Sequence, residues 1–191
     1  MQTILYILPE LFLSISIISL LMIGVFVKKS FKLLRFLTMI VLIFTTVLVL
    51  NQPNEIIKIF NNSYIIDKLS IVMKSLTLLF CLFVLLSSNV YLEINNIDKT
   101  EYLIIVLFSV LGMMLMISSF DLILFYLGLE LQSLCLYILA SFKRDEEKST
   151  EAGLKYFILS ALATGLMLYG CSLIYGFTGS TNFETISNNL N

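Results

Sequence analysis

The sequence contains no histidine and no tryptophan, and it has only three cysteines among 191 residues. Cys81, Cys135 and Cys171 lie far apart and lack the CxxC spacing of iron–sulfur or zinc sites. Haem iron commonly takes an axial histidine, which this sequence cannot supply. We therefore expect no cofactor, no redox centre and no metal site in this chain, and we interpret the cysteines as small apolar filler.

Charge is also scarce. Charged residues make up 13% of the chain and hydrophobic residues 59%, with a mean hydropathy of +0.98, whereas soluble domains carry roughly 25% charged residues. The composition predicts a membrane protein. The net charge of −1 offers no basic face, so we expect no nucleic-acid partner. The N-terminal segment MQTILYILPELF has no arginine, which argues against a transit peptide, and we expect its span to be retained.

Six apolar runs approach the roughly 20 residues that a membrane span needs. They predict an all-α fold, a polytopic transmembrane helical bundle over residues 1–179, followed by a polar tail over residues 180–191. Asp121 is a plausible N-cap, and Ser149 or Thr150 with Glu151 opens the last helix. The predicted spans are 4–27, 33–51, 65–92, 102–118, 121–142 and 151–177.

The basic residues between these runs predict the orientation. With the N-terminus outside, on the intermembrane-space side in a mitochondrion, eight basic residues face inward and only Lys58 and Lys68 face outward. The inward set is Lys28, Lys29, Lys32, Arg35, Lys99, Lys143, Arg144 and Lys148.

Three ionisable residues fall within the predicted spans: Glu130, Lys155 and Lys74. A charged side chain there costs on the order of 3 kcal/mol or more and usually marks an ion or proton path. At 1.5 Å per residue, Glu130 and Lys74 lie roughly 14 Å from the outer face and Lys155 roughly 6–9 Å from the inner face. We expect some of these pairs to touch and the others to be bridged by one or two waters.

The surrounding residues offer both polar partners and simpler explanations. Tyr126, Glu130, Ser133 and Tyr137 recur on one helix face, and small residues from Gly153 to Gly165 favour close helix approach. Lys74 and Lys155 have stems long enough to reach the headgroups instead. Glu130 has a short stem, so it must be paired, hydrated or a neutral acid bonded to a neighbouring helix. Tyrosines near the span ends are expected interface anchors: Tyr6, Tyr64, Tyr91 and Tyr102.

The segment ELQSLCLYILASFKRDEEKSTEAGLKYFILSALATGLMLYGCSLIYGFTG resembles the antiporter-like subunit 2, or N-type subunit, of respiratory complex I, the NADH:ubiquinone oxidoreductase. The resemblance is close from Asp121 to Gly179 and looser before it. In that family the Glu of ELQSL and the Lys of EAGLKY are implicated in proton translocation, so the resemblance implies those roles for Glu130 and Lys155. For Lys74 the resemblance is loose and implies no role, and Lys74 is a candidate on its position alone.

The resemblance also implies membership of an enzyme complex, with NADH and ubiquinone chemistry in other subunits. Family members have about fourteen spans, so this chain resembles only their N-terminal part. We expect a split subunit, in which a separately encoded chain supplies the remaining helices beside other membrane-arm subunits and lipids. The amino-acid composition is typical of a protein from an AT-rich genome, such as that of an organelle. It favours the mitochondrial inner membrane, with a bacterial plasma membrane as the alternative. Two other functions stay open: a subunit of a multi-subunit cation/proton antiporter, and a structural remnant of the membrane arm.

Overall fold

The computed structural model describes residues 5–27, 31–53, 55–95 and 97–190. Six of its helices are long and apolar enough to cross a membrane, which confirms the predicted helical bundle. The bounds of these spanning helices are α1 Leu8–Phe26, α2 Phe31–Leu50, α3 Lys68–Ser87, α5 Thr100–Ile117, α6 Leu122–Ala140 and α7 Glu147–Thr178. The remaining elements are β1 Ile57–Ile59, β2 Tyr64–Ile66, α4 Asn89–Ile94 and α8 Phe183–Leu190.

The helices form two groups that differ in packing. α1, α2, α3 and α5 pack around a shared apolar core, in which Leu13, Ile17, Leu42, Leu78 and Leu107 have no exposed surface. α6 packs along α5, and α7 packs along α6. α7 is thus the outermost spanning helix, and most of its side chains are exposed in this chain.

The segment predicted as a polar loop before the third span contains a two-stranded antiparallel hairpin. β1 pairs with β2 from Ile57–Ile66 to Ile59–Tyr64. Its turn residues Phe60, Asn61 and Asn62 all adopt positive φ values of 53–65°, which asparagine tolerates better than most residues. We call residues 57–66 the hairpin, and the end of the bundle that it covers the hairpin end.

Three of the predicted boundaries need correction. The third span was predicted over residues 65–92, but α3 begins at Lys68 and ends at Ser87 before the short α4. A capping box sets its start, because the Asp67 side chain accepts a hydrogen bond from the Ser70 amide and the Ser70 hydroxyl accepts one from the Asp67 amide. The last spanning helix begins at Glu147, without a side-chain cap, rather than near Glu151.

The end of the chain also differs from the predicted polar tail. Gly179 adopts a left-handed conformation (φ 69°) that ends α7, and α8 then forms from Phe183 to Leu190. Two contacts place this segment against the hairpin end. The backbones of Asp121 and Asn182 form an isolated antiparallel β-bridge, and Asn182 Nδ2 donates a hydrogen bond to the Asn62 carbonyl (2.7 Å). The predicted N-cap is confirmed, since the Asp121 side chain accepts a hydrogen bond from the Ile123 amide.

Candidate functional site

Lys74 is fully buried and forms an ion pair with Glu10. Its Nζ lies 2.7 Å from Glu10 Oε1, and neither side chain has more than 4% of its surface exposed. The alternative that Lys74 reaches the headgroups is therefore wrong. Both α1 and α3 begin at the hairpin end, and a lysine stem leans toward the N-terminus of its own helix. Lys74 thus does lean toward that end, where it meets a carboxylate and not water.

Tyr64 completes this cluster from the hairpin. Lys74 Nζ donates a hydrogen bond to the Tyr64 hydroxyl at 2.8 Å. Tyr64 is almost fully buried, so it is not the interface anchor that the sequence predicted. Burial raises the pKa of the Tyr64 phenol above its ordinary value, and the neighbouring Glu10 carboxylate raises it further. The phenol therefore keeps its proton. We call Glu10, Lys74 and Tyr64 the buried triad.

Local sequence explains how the triad is assembled. Pro9 and Glu10 stand in the first turn of α1, where the missing amide of proline costs nothing and a carboxylate meets the positive helix end. The capping box at Asp67 fixes the start of α3, which places Lys74 nearly two turns into the helix. The sequence did not single out Glu10 as a partner of Lys74. The missed signal was that a glutamate opens one predicted span and a lysine lies early in another that starts on the same side.

Glu130 lies on α6, on the helix face that it shares with Tyr137, and Tyr137 contacts α7. Two turns further along the predicted polar face, the Tyr137 hydroxyl donates a hydrogen bond to the Ser160 hydroxyl of α7. The Tyr137 ring also packs edge-on against Tyr156, with ring centroids 4.8 Å apart. Glu130 Oε2 is buried and has no hydrogen-bond partner among the described residues. The site thus holds one carboxylate oxygen of an apolar helix that none of the described side chains or backbone groups binds.

Lys155 does not approach Glu130. Its Nζ pairs with Glu151 Oε1 at 2.6 Å, one turn away on the same helix, and both side chains are more than half exposed. The two helices are antiparallel, and the Tyr137–Ser160 and Ser141–Gly153 contacts together set their register. By that register Glu130 and Lys155 are offset by roughly 15 Å along the helix axes. Direct contact is therefore excluded in this arrangement.

The length of α7 bears on the position of Lys155 in a membrane. From Lys155 to Thr178 the helix extends roughly 35 Å, at 1.5 Å per residue, which is enough to cross a hydrocarbon core of about 30 Å. Because the helix begins at Glu147, the turns that carry Glu151 and Lys155 fit at the membrane boundary. Headgroup contact by Lys155 thus stands as an alternative to a buried partner.

Close helix approach occurs at glycines, but only partly where it was predicted. A Cβ on Gly153 of α7 would fall 2.4 Å from Ser141 Cβ, whereas one on Gly165 would meet nothing within 4 Å. The tightest backbone contact joins α5 and α6 instead. There a Cβ on Gly112 would lie 2.8 Å from the Gln132 amide nitrogen, and one on Gly128 would lie 2.8 Å from the Met116 amide nitrogen.

Residues 118–191, which include both Glu130 and Lys155, match the family described as NADH:quinone oxidoreductase/Mrp antiporter, transmembrane region. Over 187 residues the chain is 54% identical to subunit N of NADH-quinone oxidoreductase from Pelagibacter ubique, covering 97% of this chain and 40% of that protein. It is 46% identical to subunit N from Paramagnetospirillum magneticum, covering 95% of this chain and 38% of the relative. Its homologues are N subunits of NADH-quinone oxidoreductase.

Solved structures show the same fold. A chain of respiratory complex I from Thermus thermophilus with bound aureothin superposes with a TM-score of 0.77 at 30% identity, covering 91% of this chain and 38% of that chain. A chain of an archaeal membrane-bound sulfane sulfur reductase superposes with a TM-score of 0.74 at 18% identity, which shows likeness of fold alone. The bundle therefore has the fold of the matching part of these chains. This chain spans 38–40% of the length of the two curated relatives.

These relatives are bacterial, and they do not support the mitochondrial inner membrane that the composition favoured. The orientation with the N-terminus outside stays a prediction, and two of its inward lysines, Lys28 and Lys29, lie outside the described residues. Among the residues that the structure describes, no cluster of three or more histidine, cysteine, aspartate or glutamate side chains is arranged to hold a metal.

Proposed function

We propose that this chain contributes to proton translocation as the N-terminal, antiporter-like part of an N-type subunit of NADH-quinone oxidoreductase in a bacterial plasma membrane. Glu130, Lys155 and Lys74 are the proposed proton-carrying residues. NADH oxidation and quinone reduction take place in other subunits of the complex, and the chain acts with those membrane-arm subunits and with lipids.

The position of Glu130 carries this proposal. Its short side chain cannot reach the membrane surface, and one carboxylate oxygen is buried without a partner in the part of the chain that the structure describes. Such a carboxylate changes its protonation when water or a charged group comes near, because burial favours the neutral acid and a nearby cation favours the ion. The roughly 15 Å offset from Lys155 means that a proton passes between the two through intervening water or polar groups.

Glu130→Gln tests the proposal in the assembled enzyme, in inverted membrane vesicles. The amide cannot carry a proton, so we expect a several-fold fall in protons moved per NADH oxidised, with assembly retained. Glu184→Gln is the matched control, because it removes a carboxylate from an exposed ion pair with Lys58. Undiminished pumping by Glu130→Gln contradicts the proposal and supports a structural remnant.

The family description also names an antiporter, so a cation/proton antiporter subunit is the second candidate. The two functions differ in what drives them. If an imposed sodium gradient moves protons through the wild-type complex while NADH does not, the antiporter function is supported. The curated relatives favour the redox-driven enzyme.

We further propose that additional helices cover the exposed face of α7. Within this chain only 6% of the most apolar 18-residue stretch of α7 is buried. A separately encoded chain and a continuation of the same polypeptide are distinguished by denaturing gels of the purified complex. An antibody against the 143–150 loop should detect a band near 21.7 kDa if the subunit is split. A band of the full length of the relatives contradicts the split.

A further inference from the structure

The buried triad lies outside the region that matches the antiporter family, and the function proposed above leaves two of its members unused. Glu10 comes from α1, Lys74 from α3 and Tyr64 from the hairpin, and all three are at most 3% exposed. Lys74 Nζ contacts both partners, at 2.7 Å and 2.8 Å. An acid, a base and a hydroxyl thus meet at one point at the hairpin end.

A structural ion pair alone does not account for this arrangement. Replacing a buried ion pair by apolar residues is often neutral or stabilising, so burial of the pair is weak evidence for a purely structural role. Glu10 accepts from Lys74 through Oε1 only, and its buried Oε2 has no partner among the described residues. Glu10 Oε2 is thus a buried acceptor atom that the ion pair leaves unused.

The hairpin separates this cluster from the surface. Ile59, Tyr64 and Ile66 form its buried side, and β2 bridges to Ser119 at the turn before α6. The hairpin is also tied to the segment after α7, because Lys58 pairs with Glu184 and Asn182 bonds the Asn62 carbonyl. A shift of that segment relative to the bundle would move Tyr64 relative to Lys74.

We propose that Glu10, Lys74 and Tyr64 form a second proton-holding site at the hairpin end, in which one proton exchanges between the Lys74 ammonium and the Glu10 carboxylate. In the exchange an N–H bond of Lys74 breaks and an O–H bond forms on Glu10 Oε1. The two opposite charges cancel, and no electrons are transferred. Tyr64 keeps its proton and positions the nitrogen. The proposal rests on the proposed proton translocation and gives it an additional site.

Two opposing effects act on the charged and neutral forms of the pair. Low dielectric surroundings favour the neutral acid and amine, whereas attraction at 2.7 Å favours the ions. Small changes in the position of Tyr64 or in hydration therefore shift the proton from one group to the other.

The test compares Glu10→Gln and Tyr64→Phe with the matched controls Glu147→Gln and Tyr91→Phe, both at exposed positions. The assembled enzyme in inverted vesicles is assayed for protons moved per NADH oxidised, and native gels report assembly. We expect both triad variants to assemble and to lose proton transfer several-fold, with wild-type values in the controls. Infrared difference spectra should lose a protonated-carboxyl band in Glu10→Gln and keep it in Glu147→Gln.

The charge-swapped variant Glu10→Lys/Lys74→Glu separates the proton site from a structural clip. If the ion pair has only a structural role, the variant with exchanged charges should assemble and pump like wild type, and this result would overturn the proposal. If the pair is a proton site, the variant should assemble but still pump poorly, because the carboxylate now stands on α3. If Glu10→Gln fails to assemble, Tyr64→Phe decides, and a wild-type ratio there overturns the proposal.

The same assay separates this inference from the function on which it rests. If Glu130→Gln lowers the ratio while Glu10→Gln and Tyr64→Phe pump normally, only the second site is wrong. If all three variants pump normally, proton translocation by this chain is wrong as well.

Discussion

The first four spanning helices and the last two differ in how deeply they are buried and in whether their ionisable side chains have partners. In α1, α2, α3 and α5, between 33% and 44% of the most apolar 18-residue stretch of each helix is buried. Lys74 has its carboxylate partner within this group. In α6 and α7 the buried share falls to 17% and 6%. There Glu130 Oε2 is buried without a partner among the described residues, and Lys155 pairs with Glu151 of its own helix.

Apolar exposure alone does not distinguish the two groups, since lipid covers apolar side chains as readily as protein does. Charge does, because lipid offers no partner for a carboxylate or an ammonium. The first group thus contains both members of its buried ion pair, Glu10 and Lys74. The second group presents ionisable side chains that need partners from water, from headgroups or from further helices.

The largest expected effect comes from breaking the pair in the first group. Lys74→Met leaves the Glu10 carboxylate buried and unpaired, which should cost about 3–5 kcal/mol of unfolding free energy. The measurement is SDS-induced unfolding of the chain in detergent micelles, followed by far-ultraviolet circular dichroism. Lys155→Met is the control, because that lysine is exposed. An equal loss in both variants would remove the distinction between the two groups.

The junction between the groups gives a smaller effect. Gly128→Ala places a methyl group 2.8 Å from the Met116 amide nitrogen, so the backbones of α5 and α6 must separate. We expect a loss of about 1–3 kcal/mol. Gly165→Ala meets open space, and it should be neutral or stabilising by up to about 1 kcal/mol, because alanine favours a helix. A similar loss at Gly165 would show that α7 is already covered in the micelle.

Sequence reasoning predicted the helical bundle well because each span carries its own signal, the length of an apolar run. It also predicted the Asp121 cap, which is a local interaction. It did not predict the hairpin, because its strands have three residues each and its turn NNS reads as an ordinary polar loop. Nor did it predict that α7 starts at Glu147, since no side chain caps that end.

The candidate site shows the same division between local and long-range signals. Glu130, Lys155 and Lys74 were found because a charge in an apolar run is visible in the sequence. The partner of Lys74 was not, because Glu10 lies 64 residues away and no local pattern connects them. Helix register mattered as well. Depths counted from the span ends left direct contact between Glu130 and Lys155 possible. The observed register of α6 against α7 instead offsets the two residues by roughly 15 Å along the helix axes.

The smallest expected effect concerns the Glu151–Lys155 pair on the open face of α7. Exposed helix pairs of this spacing contribute about 0.3–0.5 kcal/mol, so Glu151→Gln should barely change the stability of the chain in micelles. In the assembled complex the outcome depends on what covers α7. If further helices enclose the pair, removal of one partner costs several kilocalories per mole, and the variant complex should dissociate at a lower temperature on native gels. If the pair faces headgroups, the complex should be as stable as wild type, and Lys155 would then act as an interface anchor and not as a proton carrier.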